Sequence, residues 1–139
     1  MTINEVKTLF EEIADIADLS DTTFYILANN AEEDLEDERD WRILRIRDAS
    51  TVTRTAGDTY LTSHNLPSDF NSAHKVYVGT NEDEWDEIPI DMAREYKDSN
   101  GYFYVDYSTS PAKIYFCGTA TETETVTLFY KKRTTELAD

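Results

Sequence analysis

Between Glu32 and Asp40 the chain places seven carboxylates in nine residues, and the next seven positions, Trp41 to Arg47, hold three arginines and no acid. Clustered carboxylate oxygens are the ligands that calcium takes, but a calcium loop also needs a glycine that lets the backbone wrap the ion. No glycine occurs in this run, and its pattern is helical, which spreads the carboxylates around an axis rather than converging them. Glu32, Glu33, Asp34, Glu36, Asp37 and Glu38 are therefore read as the solvated side of a helix, with no metal assigned. Like-charge pairs one turn apart cost only a few tenths of a kcal/mol each, which a packed apolar stripe offsets.

Nucleophilic and metal chemistry find little else to use. His64 and His74 are the only histidines and Cys117 the only thiol, too few for a zinc site. Cys117 follows Ile114 and Phe116 in "KIYFCGT", where strand alternation turns it to the opposite face from both, a structural position. None of the four glycines has phosphate-loop spacing. Carboxylate pairs for acid–base work can be assembled anywhere in so acidic a chain, so they identify nothing. Tyr102, Tyr104, Tyr107, Tyr115 and Tyr130 suit a stacking platform for sugars or bases, but in strands such rings are first of all cross-strand packing partners. No catalytic residue and no cofactor are assigned, and the chain is not read as an enzyme.

The elements that must carry these residues change type along the chain. Ile3, Val6, Phe10, Ile13 and Ala17 recur at three- and four-residue steps, an amphipathic helix that Thr2 and Glu5 can open as a capping box. A second helix begins after Ser20 or Asp21, with Phe24, Leu27, Ala28, Ala31 and Leu35 on one side. Beyond about residue 50 the pattern becomes short β-branched and aromatic runs. "STVTRTAGDTYLTS" reads as a hairpin turning at Gly57 and Asp58, and "NLPSDF" as an ordered loop. "HKVYVGTNEDEWDEIPI" reads as two strands around a turn, and "IDMAREYKDSNG" as a short helix closed by Asn100 and Gly101. "YFYVDYS", "AKIYFCGTA" and "TVTLFYKKR" alternate as three strands, the first two joined tightly through Pro111. The expected class is α+β in one domain: a helical part over residues 1–48 with two long helices, then a mainly antiparallel β part over 49–139 with one short helix.

Charge narrows the partners. The 139 residues carry a formal net charge of -16. Residues 1–40 hold 13 acids and 2 bases, a net of -11. Such a balance argues against a basic nucleic-acid face and against anionic membranes. The lone cysteine suits a reducing compartment, and no apolar run approaches a membrane span, so a soluble protein made in the cytoplasm is expected. The compact basic groups are Arg42, Arg45 and Arg47 after the acidic run, and Lys131, Lys132 and Arg133 near the C-terminal end. All six are candidate contacts to another subunit or partner.

Over roughly residues 35–137 these pieces resemble the head-to-tail adaptor (connector) proteins of tailed bacteriophages. The resemblance lies in "RDWRILRIRDASTVTRTAGDTYLTSHNLPSDF", then "KVYVGT", then "IPIDMAREYKDSNGYFYVDYS" and "KIYFCGTATETETVTLFYKKRTTEL". Each motif is short; their order carries the likeness. The chain departs from the pattern by "LTSH" between Tyr60 and the Leu66-Pro67 pair, and by its acidic N-terminal helices. What the resemblance implies is a structural part at the head–tail junction of a virion. It would form a ring of identical subunits, usually twelve-fold, beneath the portal protein. The ring would extend the DNA channel and offer a docking surface to the downstream tail or nozzle protein. Negative walls pass DNA without holding its phosphates, so the acidic helix side becomes a candidate channel face. The alternative is an acidic DNA mimic that occupies a host DNA-binding protein; it leaves the strand-rich remainder without a role.

Overall fold

In the computed structural model, residues 2–14, 19–38 and 44–133 are described, with the side chains of residues 36 and 37 left aside. Helix α1 spans Ile3–Ala14. The capping box forms as expected: Thr2 N donates to Glu5 Oε2 at 2.6 Å and Glu5 N to Thr2 Oγ1 at 3.3 Å. Helix α2 spans Asp21–Glu38. Of the two candidate caps it is Ser20 that acts, its Oγ accepting from Thr23 N at 3.2 Å. Asp21 instead accepts a hydrogen bond from Lys7 Nζ, which holds the Lys7 ammonium above its ordinary pKa. Leu19 N donates to Glu11 Oε1 at 3.0 Å, and the Phe10 and Phe24 rings meet at 6.3 Å.

The remainder is strand: β1 (Arg45–Asp48), β2 (Thr53–Arg54), β3 (His64–Asn65), β4 (Phe70–Val78), β5 (Asp83–Glu87), β6 (Tyr102–Asp106), β7 (Lys113–Phe116) and β8 (Glu124–Lys132). They form one curled sheet in the order β1-β8-β4-β5-β6-β7-β3, with β2 also on β8. Strand β8 is central because both its flanks are paired, by β1 and β2 on one side and β4 on the other. Its alternation places Val126, Leu128 and Tyr130 in a core with Val52, Val76, Trp85, Phe103, Ile114 and Phe116. Every residue of that core comes from strands or the loops between them.

The expected α+β class is thus corrected. Among the described residues there are two helices and a curled, mixed sheet, so the chain is mostly β. The sheet is not purely antiparallel, since β5 and β6 pair in parallel through Asp86↔Tyr102 and Glu87↔Phe103. The helical part stops short of residue 48, because Arg45–Asp48 are captured by β8. Compact packing accordingly divides the chain after residue 40, into a helical unit and a strand unit.

Two local expectations fail for readable reasons. The short helix expected over "IDMAREYKDSNG", residues 90–101, is only a 3-10 turn, Ile90–Met92, followed by further turns. So short a segment cannot offset the cost of helix nucleation, and its side chains serve as cover: Ala93 is buried and Tyr96 leans on Tyr102 at 4.6 Å. The hairpin at Gly57-Asp58 does turn, with Gly57 at φ 93°, but its arms do not pair with each other. β2 pairs with β8 and β3 with β7, and the turn docks through Gly57 N to Ala120 O and Ala120 N to Asp58 O.

Gly118 is a position where only glycine fits. Its φ is +74°, and a Cβ there would strike the Asn100 side chain and lie 3.3 Å from the Asn100 backbone N. Gly118→Ala is expected to cost about 1–3 kcal/mol, from the left-handed backbone together with the collision. Equal urea midpoints for variant and parent would contradict this.

Candidate functional site

The face of β1, β8 and β4 turned away from the strand core gathers the basic residues. The register sets Arg45 beside Lys131, and sets Phe129 between Arg47 on β1 and Lys75 on β4. The Arg47 guanidinium lies 5.9 Å from the Phe129 ring centre, and Tyr77 meets the same ring edge-on at 5.7 Å. A depression of about 430 Å³ follows, walled by Arg45, Arg47, His74 and Lys75 with Tyr77 and Phe129 in its lining. Two acids reach it from the β4–β5 hairpin: Glu82 stands 4.0 Å from Arg47, and Glu84 accepts from Lys75 Nζ at 2.8 Å. That hydrogen bond holds the Lys75 ammonium above its ordinary pKa. These ion pairs are exposed and worth little to stability, so the cations can exchange them for others.

Of the residues singled out in the sequence, Arg45, Arg47 and Lys131 thus meet on one face although they lie more than eighty positions apart. Lys132 falls opposite Phe70, on the alternate face, and Arg133 follows the strand end with its N donating to Asp69 O at 2.7 Å. The three terminal cations are therefore not one patch. Arg42 lies outside the described residues. On α2, Glu33, Asp34 and Glu38 are exposed and Glu32 is half-buried; Glu36 and Asp37 belong to the helix, but their side chains lie outside the described residues. Lys75, Tyr77 and Phe129 were missed as site residues. Alternation in "KVYVGT" and "TVTLFYKKR" already puts them on the face opposite the valines and leucine, and only the β4–β8 pairing was lacking.

A second feature was missed entirely. Arg54 is 2% exposed. Its Nη1 donates to Glu124 Oε2 at 3.0 Å, and its Nη2 to Cys117 O at 3.1 Å and Gly118 O at 3.0 Å. Its guanidinium carbon lies 5.0 Å from the Trp85 ring centre, while Nε has no partner. The fork ties β2 to the end of β7 and to β8, at the back of a polar cleft of about 330 Å³.

The remaining reactive groups are packed in. Cys117 is fully buried beside Tyr104 and Ala93, on the face opposite Ile114 and Phe116, and burial pushes its thiol pKa up. Tyr104 and Tyr115 stack in parallel at 4.7 Å, and Tyr104 Oη donates to Tyr60 O at 2.6 Å. Burial raises the Tyr104 hydroxyl to about 12. The tyrosines thus pack against their own chain, Tyr107 alone of the five remaining more than half exposed. Among the described residues no group of three or more His, Cys, Asp or Glu is arranged to hold a metal, and no helix is long and apolar enough to cross a membrane.

His64 supplies a pH dependence. It sits against Phe116 at 5.8 Å, and its Nε2 is 3.3 Å from Asp58 Oδ2 without the alignment of a hydrogen bond. Burial lowers its pKa below the ordinary 6.5, outweighing the attraction of Asp58. The unfolded chain then binds the proton more readily than the folded one. Stability contributed by neutral His64 is full above pH 6.5 and is lost as pH falls through that value toward the folded pKa. Unfolding midpoints measured between pH 7.5 and about 5.5 should therefore fall, and fall less in His64→Gln. An unchanged slope in the variant would remove His64 as the cause.

Compared with known proteins, the chain matches no protein-family model and no curated sequence.

Proposed function

We propose that this chain is a structural head-to-tail adaptor of a tailed bacteriophage, assembling as a ring beneath the portal protein. The ring extends the DNA channel and docks the downstream tail component, and the protein resides at the head–tail junction of the virion. The ordered set of motifs from "RDWRIL" to "LFYKKR" motivates the reading.

The observation that carries it is the pair of unlike, uncovered surfaces on one chain. Among the described residues, seven of the ten large apolar side chains that stand exposed lie on the helices: Val6, Leu9, Phe10, Ile13, Ile26, Leu27 and Leu35. No residue of α1 is buried, although Val6, Leu9, Phe10 and Ile13 form one stripe. A helical unit this acidic, with an apolar stripe left partly exposed, is a part that suits a partner. The strand unit offers the opposite chemistry on its basic, aromatic outer face. A subunit whose two surfaces differ in this way suits head-to-tail packing, which closes into a ring when the rotation allows.

Electron microscopy of the protein mixed with the portal protein of the same phage tests this. An extra ring of density under the portal is the expected result. An intact portal with no added density, beside a folded chain, rejects the adaptor and favours the acidic DNA mimic. The mimic reading would then require salt-sensitive binding to a basic host protein.

A further inference from the structure

We infer that the α1–α2 pair accepts a third helix from a different protein, one with an apolar seam flanked by lysine or arginine, seated on Val6, Leu9 and Ile13. The inference goes beyond the adaptor reading and does not depend on it. Ile26 and Leu27 of α2 remain for contacts between copies.

The seam lies in the spacing. Val6, Leu9 and Ile13 stand at the a, d and a positions of a heptad and are 39%, 44% and 78% exposed. They cover about 10 Å of the helix axis. In the same count Phe10 is an e position, and its ring meets the buried Phe24 of α2. Lys7 and Glu11, at b and f, face α2 as well: Lys7 pairs with Asp21, and Glu11 accepts from Leu19 N. Helix α2 therefore packs on one flank of α1 and leaves the a and d line uncovered. A β-branched residue at a with leucine at d is the pattern that interlocks with the side chains of another helix.

Charge selects which helix. The flank away from α2 carries Glu5 and Glu12, both g positions and both exposed. Residues at g lie beside the flanking residues of a helix docked on the seam. Glu5 also caps its own helix through Thr2 N. The one lysine of α1 stands on the other flank, held by Asp21 and Glu11. A partner helix with lysine or arginine at its own e and g positions sets cations against Glu5 and Glu12, and an acidic one is repelled. A second α1 offers no such cations, since its e position is Phe10 and its g positions are the same two glutamates. Residues 1–40 as a whole, at -11, add to that repulsion.

The test titrates the full chain into a labelled helical peptide of about three heptads, with isoleucine and leucine on the seam and lysine at e and g. Fluorescence anisotropy reads binding. The peptide is expected to bind at least about tenfold tighter than one of the same composition with its apolar residues scrambled off the seam. Leu9→Ser with Ile13→Ser is expected to lower affinity about tenfold or more, and Glu12→Lys about threefold or more. These side chains are exposed, and far-UV circular dichroism checks that each variant is folded. Where the double variant loses helix, Ile13→Ser alone carries the same expectation.

Equal binding of the ordered and scrambled peptides is bulk attraction to a chain of charge -16 and overturns the inference. So does a peptide with glutamate at e and g that binds as well as the lysine one, or binding that the α1 substitutions leave unchanged. Sedimentation velocity of the chain alone addresses the other occupant. Self-association abolished by Leu9→Ser with Ile13→Ser makes a second copy the occupant and overturns the inference; the expected result is sedimentation that the substitutions do not alter. None of these results touches the adaptor reading, which stands or falls on the portal imaging.

Discussion

Arg54→Ala unfolds with a loss of about 3–5 kcal/mol, the cost of breaking a buried, hydrogen-bonded ion pair by removing one partner. The guanidinium is almost wholly enclosed and serves Glu124, the carbonyls of Cys117 and Gly118, and the Trp85 face. Alanine leaves both carbonyls without that donor and opens a void against Trp85. In a strand unit of this size the loss lowers Tm by at least about 12 °C. Arg54→Lys keeps a charge near Glu124 but not the planar fork, and it should fall between alanine and the parent. Urea unfolding followed by tryptophan fluorescence measures all three. An alanine variant within about 1 kcal/mol of the parent would show that the fork contributes no more than a surface pair.

Phe116→Ala is expected to cost a similar amount, about 3–5 kcal/mol, for a different reason. Phe116 is 1% exposed and touches Trp85 at 5.7 Å, Phe103 at 6.5 Å and His64 at 5.8 Å between ring centres. Removing the ring empties the centre of the strand core, and neighbours held by β6, β5 and β3 cannot all collapse into the space. Trp85 lies against both Arg54 and Phe116, so the double variant should depart from additivity by about 0.5–3 kcal/mol. Ile13→Ala makes the contrast. Ile13 is 78% exposed on α1, and its loss should shift stability by less than about 0.5 kcal/mol. A large effect at Ile13, or a small one at Phe116, would reverse the assignment of core and docking surface.

Local patterns in this chain were faithful where the physics is local. The capping box at Thr2 and Glu5, the Ser20 cap, the β4–β5 turn at Gly79 and the alternation of β6, β7 and β8 all follow from side chains within a few positions of one another. The face of Cys117 followed from the same two-residue period. Patterns failed where a distant strand competed for the same backbone. Arg45–Asp48 continued a helical stretch until β8 claimed it, and the arms of the Gly57 hairpin found β8 and β7 instead of each other. The segment 90–101 carries a helix-closing Asn100-Gly101 pair, yet its Ala93 and Tyr96 are used to roof Tyr104 and Cys117.

By itself the sequence determined the composition of the surfaces: a strongly acidic first third, apolar stripes on two helices, alternating aromatic strands and two short basic groups. Only the tertiary structure decided which of these meet. It brought Arg45 and Arg47 beside Lys131, set Lys75 across Phe129 from Arg47, turned Lys132 to the other face, and enclosed Arg54 where nothing in "TVTRTAG" announced a buried charge. The reason is physical. Amphipathic period and capping depend on neighbours along the chain. Strand partnership depends on which edges remain open once the core has closed, and that is a property of the whole sheet.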